Sequence, residues 1–312
     1  MTGTAPAVIA VGECMLELAP AADGWRLGHA GDTFNTALHL AREGIPVGYL
    51  SALGTDPFSA GMRAAWRAEG IDDSLVLSDA ARLPGLYAIR TDEHGERTFY
   101  YWRDRSAVRN LFRLDGIEEA LARAAQAELL YLSGITLSIF EAEDRTRLLA
   151  LAAAVRRNGG MVAFDPNYRP AGWPDAATAR DSMREFSTEI DIVLATFEDE
   201  RTLWSDVDAG ASAARWHTWG VREVVIKLGA TGAMASVGGI SVHESAERVA
   251  HVVDTTGAGD SFNAAYLALR RGGADIATAA RAGNRLAAQV IQVSGAILPR
   301  PAQTPLPTRT TP

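Results

Sequence analysis

Short apolar runs recur along this chain, each followed by a stretch with helical spacing, and that alternation restricts its fold more than any other feature. AVIAVG (7–12), VGYLSAL (47–53), ELLYLSG (128–134), GMVAFDP (160–166), DIVLAT (191–196) and REVVIKLG (222–229) have the length and composition of buried strands. Most stop at or near Gly, Asp or Thr. FNTALHLAREG (34–44), FSAGMRAAWRAEG (58–70), FEAEDRTRLLALAAAVRRNGG (140–160) and ASAARWHTWG (211–220) lie between them, with apolar residues three and four apart and a terminal glycine. The pattern predicts βαβ units, a mostly parallel sheet and right-handed crossovers. Ligands of such sheets bind beyond the carboxyl ends of the strands.

Two segments break the rhythm. CMLELAPAADGWRLGHAGD (14–32) is extended and turn-rich, and LPGLYAIRTDEHGERTFYYWR (83–103) reads as two alternating strands around the turn DEHGE. They predict a small sheet over the main domain, a lid built from residues of about 14–30 and 84–105 within a single domain. The tail is rich in Pro and Thr, and disorder is expected for 301–312.

A hydrophobic content of 47% with 22% charged residues fits a soluble globular protein. The net charge of −8 comes without a basic run, which argues against a nucleic-acid or anionic-membrane partner. The lone Cys14 fits a reducing compartment, and neither a signal segment nor an apolar span is evident, so a cytoplasmic location is expected. Among 30 basic residues Lys227 is the only lysine.

Four groups of residues are candidates for chemistry. HVVDTT (251–256) reads as a strand running into a turn, and in DTTGAGDSF (254–262) Gly257, Ala258 and Gly259 then stand before a helical pattern, where bare amides and the helix dipole favour an anion. Asp260 beside them is either a helix N-cap or a general base facing an oxyanion hole for a phosphoryl group. Lys227 ends a strand ahead of a turn bounded by Gly229 and Gly232, as a surface ion pair or as a charge for a phosphate. Gly31, Asp32 and Asn35 open another helix, as a cap and turn or as ligands for sugar hydroxyls. Tyr87, Tyr101, Arg103 and Arg169 form either a packing stripe with solvated arginines or a site for an anionic substrate group, since arginine pairs bidentately with carboxylates. No GxxxxGK[ST] loop, GxGxxG after the first strand, zinc-ligand spacing or GxSxG elbow occurs.

DTTGAGDSF resembles the C-terminal signature of the ribokinase-like sugar kinases, the phosphofructokinase-B family, and AGDTFNTA (30–37) resembles their substrate-site motif. The order of strands and helices agrees from residue 7 to 300. GECMLEL (12–18), LGTDPFS (53–59), RLPGLYAI (82–89), ERTFYYWR (96–103), LSGITL (132–137) and FDPNYRP (164–170) are similar to the branch acting on the 2-oxo sugar acid 2-keto-3-deoxygluconate.

The resemblance implies an α/β fold, a ribokinase-like three-layer sandwich with a β-sheet lid. It implies ATP-dependent phosphorylation of the terminal 6-hydroxyl of that acid, with Mg²⁺ as cofactor and a monovalent cation such as K⁺ left open. By the same resemblance Asp260 is the base and Gly257, Ala258 and Gly259 the anion hole. Gly31, Asp32, Asn35, Tyr87, Tyr101, Arg103 and Arg169 contact the substrate. Lys227, Gly229 and Gly232 follow the nucleotide phosphates, and Asn284 lies beside adenine.

The chain departs from the family at TFEDE (196–200), where Thr196 replaces the usual Asn, so Asp199 or Glu200 must serve the metal, through water. Ala30 stands where Gly is common. A homo-oligomer joined through lid residues such as Phe99 and Tyr100 is also expected. The alternatives are a kinase for fructose, ribose, 5-keto-2-deoxygluconate or a nucleoside, and a non-catalytic sugar-acid sensor.

Overall fold

The computed structural model describes residues 7–21, 23–91 and 97–299. Its strands are β1 (Val8–Val11), β2 (Met15–Ala21), β3 (Gly24–Ala30), β4 (Val47–Leu53), β5 (Ile71–Asp72), β6 (Val76–Ser78) and β7 (Leu86–Thr91). They continue as β8 (Arg97–Trp102), β9 (Leu129–Ser133), β10 (Met161–Asp165), β11 (Ile192–Thr196), β12 (Glu223–Lys227), β13 (Ala233–Val237) and β14 (Ile240–Glu244). The helices are α1 (Asp32–Arg42), α2 (Pro57–Ala68), α3 (Ile117–Ala124), α4 (Gly134–Ile139) and α5 (Ala142–Arg157). After them come α6 (Ala176–Phe186), α7 (Phe197–Trp204), α8 (Ala209–Thr218), α9 (Ala258–Arg271) and α10 (Ile276–Val290).

The large sheet has the order β14-β13-β12-β11-β10-β9-β1-β4-β5, with β6 beside β4. Its pairs are parallel from β12 through β5, and only the β12–β13 and β13–β14 pairs are antiparallel, so β13 alone is reversed. The expected strands are therefore present, trimmed by a residue or two at their ends. Alternation explains why they are apolar throughout. On β1, Val8 and Ala10 join a core with Phe34, Trp66 and Phe262, while Ile9 and Val11 join a second core with Leu148, Met183 and Trp216. Helices α1, α2, α9 and α10 cover the first face, and α3, α5, α6 and α8 cover the other. The result is the expected three layers.

The lid is a four-stranded sheet, β3-β2-β7-β8, so within 14–32 the strands Met15–Ala21 and Gly24–Ala30 pair antiparallel rather than being merely extended. Successive side chains point to opposite faces. Met15, Ala19, Ala30, Tyr87 and Ile89 gather on one face with Phe99 against them. Trp25, Leu27, Tyr100 and Trp102 are exposed, and the strand register puts them on the other face. Phe99 and Tyr100 thus face opposite ways. The turn DEHGE and the tail 301–312 lie outside the described residues.

HVVDTT (251–256), read from the sequence as a strand running into a turn, is not a strand. Val252 and Val253 are exposed, and the amides of Val253 and Asp254 reach one carbonyl, that of Ile291, instead of a neighbouring strand. Because β1, β9, β10, β11 and β12 are parallel, Gly12, Ser133, Asp165, Thr196 and Lys227 end together along one rim. That rim carries the site.

Candidate active site

Helix α9 starts at Ala258, with Gly257 as its N-cap. Gly257 holds a left-handed φ of 74°, and a Cβ there would stand 2.5 Å from the Ala296 Cβ, so the position requires glycine twice over. The first amides of a helix have no intrahelical acceptor. The Ala258 amide is turned toward the Thr255 carbonyl at 3.2 Å, which places the weight of the candidate anion hole on Gly257 and Gly259.

Asp260 sits three residues past the cap and makes no capping bond. Its Oδ2 instead accepts from Asn35 Nδ2 at 2.8 Å, across 225 residues of sequence. The capping alternative is thereby removed. Burial, then the negative charge of Asp32, push the Asp260 carboxyl up to about 8, against the Asn35 hydrogen bond and Lys227. Such a value belongs to a group poised to exchange a proton near neutrality.

Asn35 and Asp32 come from the first turn of α1. Gly31, its N-cap, has extended backbone and is glycine for lack of room, since a Cβ would lie 2.1 Å from the Glu13 carbonyl oxygen. Burial raises the Asp32 carboxyl, while hydrogen bonds from Ser133 and the Thr33 amide oppose that rise. Asn167 also donates to Asp32, at 3.0 Å.

Lys227 is not on the surface: it is 7% exposed and donates to Asp165 Oδ2 at 2.8 Å and to Asn263 Oδ1 at 3.0 Å. Its Nζ lies 3.4 Å from where a Gly259 Cβ would be, so the ammonium sits beneath the candidate anion hole. Asn263 further donates to Asp165 at 2.6 Å and to the Tyr131 hydroxyl at 3.0 Å. The Thr36 hydroxyl lies 3.2 Å from both the Tyr131 hydroxyl and the Asp260 carbonyl. A continuous polar network therefore links the single lysine to Asp260. Asp165, Asn167, Asn263, Tyr131 and Thr36 were not singled out from the sequence. The available signal was a polar residue within an otherwise apolar run, as in SFNAAY and VAFD.

On the lid side, Tyr87 is buried and its hydroxyl donates to Glu17. Tyr101 is 53% exposed and stacks on Phe99, with the Arg103 guanidinium 6.0 Å from its ring centre. Burial raises the Tyr101 phenol, while Arg103 and Arg169 both pull it down, which places the two arginines around one side chain. Arg103 forms an ion pair with Glu13, a residue absent from the candidates. Arg169 reaches both oxygens of Asp199 at 3.1 Å.

Asp199 is therefore within the site. Glu200, the other carboxylate considered for the metal, is not: it is fully buried and accepts from the Trp216 indole at 2.7 Å and from Arg215. Burial raises its carboxyl to about 7 despite Arg215. Helical geometry turns successive residues about 100° apart, so Asp199 and Glu200 cannot face the same way.

On the remaining side, Gly229 (φ 58°) and Gly232 (φ 107°) form the turn after Lys227, and a Cβ on Gly232 would strike the Glu244 carbonyl at 2.0 Å. Asn284 donates to the Glu244 and Ser245 carbonyls at 2.9 and 3.2 Å, holding the chain that leaves β14.

This geometry is matched by similarity to known proteins. Residues 5–303 match the pfkB family carbohydrate kinase pattern. The chain belongs to the pfkB family of carbohydrate kinases. It is 42% identical over 296 residues to the 2-dehydro-3-deoxygluconokinase of Dickeya dadantii (strain 3937), covering 93% of this chain and 96% of that one. It is 41% identical over 302 residues to the enzyme of the same name from Escherichia coli (strain K12), covering 95% and 98%. The crystal structure of a PfkB protein from Polaromonas sp. JS666 superposes with a TM-score of 0.83 at 30% identity, over 92% of this chain and 96% of that one. The ribokinase-like fold expected from the sequence is thus the fold of the chain, and its class of activity is carbohydrate phosphorylation.

Proposed function

We propose that this kinase transfers the γ-phosphoryl group of ATP to the terminal 6-hydroxyl of 2-keto-3-deoxygluconate, a compound also named 2-dehydro-3-deoxygluconate. One observation carries the reading: Asp260 stands at a glycine-fronted helix start, free of capping duty and held by Asn35. An alcohol placed between that carboxylate and the amides gives up its proton to Asp260 as its oxygen attacks phosphorus. The Gly257 and Gly259 amides, with Lys227 beneath, meet the charge on the transferring group. Asp32 and Asn35 hold sugar hydroxyls, and Tyr87 and Tyr101 bound the sugar from the lid. Arg103 and Arg169 receive the carboxylate at the far end. Gly229, Gly232 and Asn284 lie along the nucleotide.

Among the described residues no three His, Cys, Asp or Glu side chains form a metal cage. That donor set suits Mg²⁺, which keeps much of its water and binds largely through phosphates, with Asp199 as the nearby carboxylate. Bound there, the ion supplies further neutralisation of phosphoryl charge. K⁺ as an additional activator is tested by replacing it with a bulky organic cation. The exposed outer face of the lid, with Trp25, Leu27, Tyr100 and Trp102, suits pairing with a second copy, and light scattering that gives a monomer refutes it. No described helix is long and apolar enough to cross a membrane; a cytoplasmic location is part of the proposal.

The test is ADP release with 2-keto-3-deoxygluconate, gluconate, fructose and ribose compared side by side. The expected result is the highest kcat/KM for the 2-oxo acid. Preference for a neutral sugar refutes the substrate assignment in favour of a fructokinase or ribokinase. No ADP with any of them favours a sensor.

A further inference from the structure

Glu13 lies two residues past the end of β1, on the main sheet, and Arg103 lies one residue past β8, on the lid. Their side chains meet across the junction of the two sheets. Glu13 is 5% exposed, and the Arg103 side chain is 17% exposed. A carboxylate so far from water is costly unless a cation faces it. The fold keeps room for the pair, because a Cβ on Gly85 would lie 2.7 Å from Glu13 Oε1 and 3.2 Å from Arg103 Cβ. The Glu13 main chain is also fixed against the catalytic side, its carbonyl packed on Gly31.

Arg103 is anchored at its backbone as well, with its carbonyl accepting from the Ser106 amide and from Arg109 Nε at 3.1 Å each. Nη2 is the nitrogen that meets Glu13, whereas Arg103 Nε is buried and, among the described residues, has no hydrogen-bond partner. A guanidinium docked through Nη2, with its Nε still unpartnered among the described residues, is prepared for one more planar acceptor.

We propose that Glu13 is a specificity-determining positioning residue: it docks the Arg103 guanidinium so that the remaining donors face the carboxylate of the sugar acid. The proposal rests on the substrate reading above. A long arginine side chain loses rotamer freedom when it grips a ligand, and docking it beforehand removes that part of the binding cost. The site otherwise carries Asp32, Asp165, Asp199 and Asp260, so an anionic substrate is admitted only where an arginine is held in place against them.

The experiment is Glu13→Gln, Glu13→Asp, Arg103→Ala and the Glu13→Gln/Arg103→Ala double variant, with steady-state kinetics on 2-keto-3-deoxygluconate and a thermal melt of each. Glu13→Gln should raise KM roughly tenfold, the size of one charge-assisted hydrogen bond, with kcat within about twofold. Glu13→Asp, which keeps the charge but shortens the reach, should raise KM by about threefold in the same manner. In the Arg103→Ala background, Glu13→Gln should leave KM unchanged, because the residue acts only through Arg103.

An unchanged KM in Glu13→Gln, or a full tenfold loss on top of Arg103→Ala, overturns the proposal. So does a lower melting point with normal KM, which marks a purely structural pair. Should Glu13→Gln not fold, Glu13→Asp decides by the same KM criterion. Wild-type enzyme that ignores the acid refutes the substrate reading instead, and is seen before any variant is made.

Discussion

Replacing Asp260 with Asn separates two roles of one carboxylate, because the amide keeps the shape and can still accept from Asn35 but carries no charge. Burial and Asp32 push the carboxyl from 3.8 to about 8. The folded protein therefore holds a proton that the unfolded chain has already lost, throughout the window from about pH 4 to about pH 8. Stability changes with pH in proportion to the protons bound by the unfolded state minus those bound by the folded state. That difference is negative here, so this group lowers wild-type stability as pH rises through the window, and contributes no further change above it.

The two units between pH 6 and pH 8 correspond to about 2.7 kcal/mol at 1.36 kcal/mol per unit. Asp260 is partly open to solvent, and screening brings the effect to roughly 1 kcal/mol. The variant lacks this term. It should gain on wild type by roughly 1 kcal/mol, or about 2 °C in midpoint for a chain of this size, between pH 6 and pH 9. Turnover of the variant should fall by about 10²–10⁴, and wild-type kcat/KM should rise with pH to a plateau inflecting near 8. Paired melts at several pH values and an ADP-release assay measure both. A stability difference that stays flat from pH 6 to pH 9 refutes the electrostatic account. Near-normal turnover refutes the catalytic one, since Asn serves a mere cap about as well as Asp.

Lys227→Met should cost about 3–5 kcal/mol in urea denaturation by leaving Asp165 buried without its cation, and adding Asp165→Asn should recover part of that loss. Gly257→Ala should destabilise by about 1–3 kcal/mol through its left-handed backbone and the contact with Ala296, whereas Gly259→Ala, at a helical position, should melt within about 0.5 kcal/mol of wild type. Asp199→Asn should raise the Mg²⁺ concentration needed for half-maximal rate several-fold, about the effect of one lost charge; Glu200→Gln, whose side chain faces Arg215 and Trp216, should leave it unchanged.

What the sequence disclosed follows from what is local. A strand covered on both faces must be apolar throughout, so β1, β4, β9, β10, β11 and β12 were legible as runs of a few residues. HVVDTT has the same composition, but its amides turn to the Ile291 carbonyl rather than to a strand, and nothing within six residues reports that. The helix start at 257–260 was ambiguous for a related reason. Gly-Ala-Gly satisfies a cap at any of several positions, and the contacts that decide between them come from far along the chain, Ala296 against Gly257 and Asn35, 225 positions away, on Asp260.

The partners of the charges were the least legible part. Lys227 stood out by being alone, yet its surroundings depend on Asp165, Asn263 and the space above Gly259, which come from two other elements, β10 and α9. Burial puts what could have been a surface lysine beneath the candidate anion hole. Glu13 passed unnoticed because a carboxylate after a strand looks like any solvated acid until a lid arginine closes over it. Asp260, the proposed base, works the opposite way. It is left without a full counter-charge, and the stability it forgoes at neutral pH is the same free energy that keeps its proton affinity within reach of an alcohol's transfer chemistry. Supplying Asp260 with a closer cation should therefore stabilise the fold and slow the reaction together.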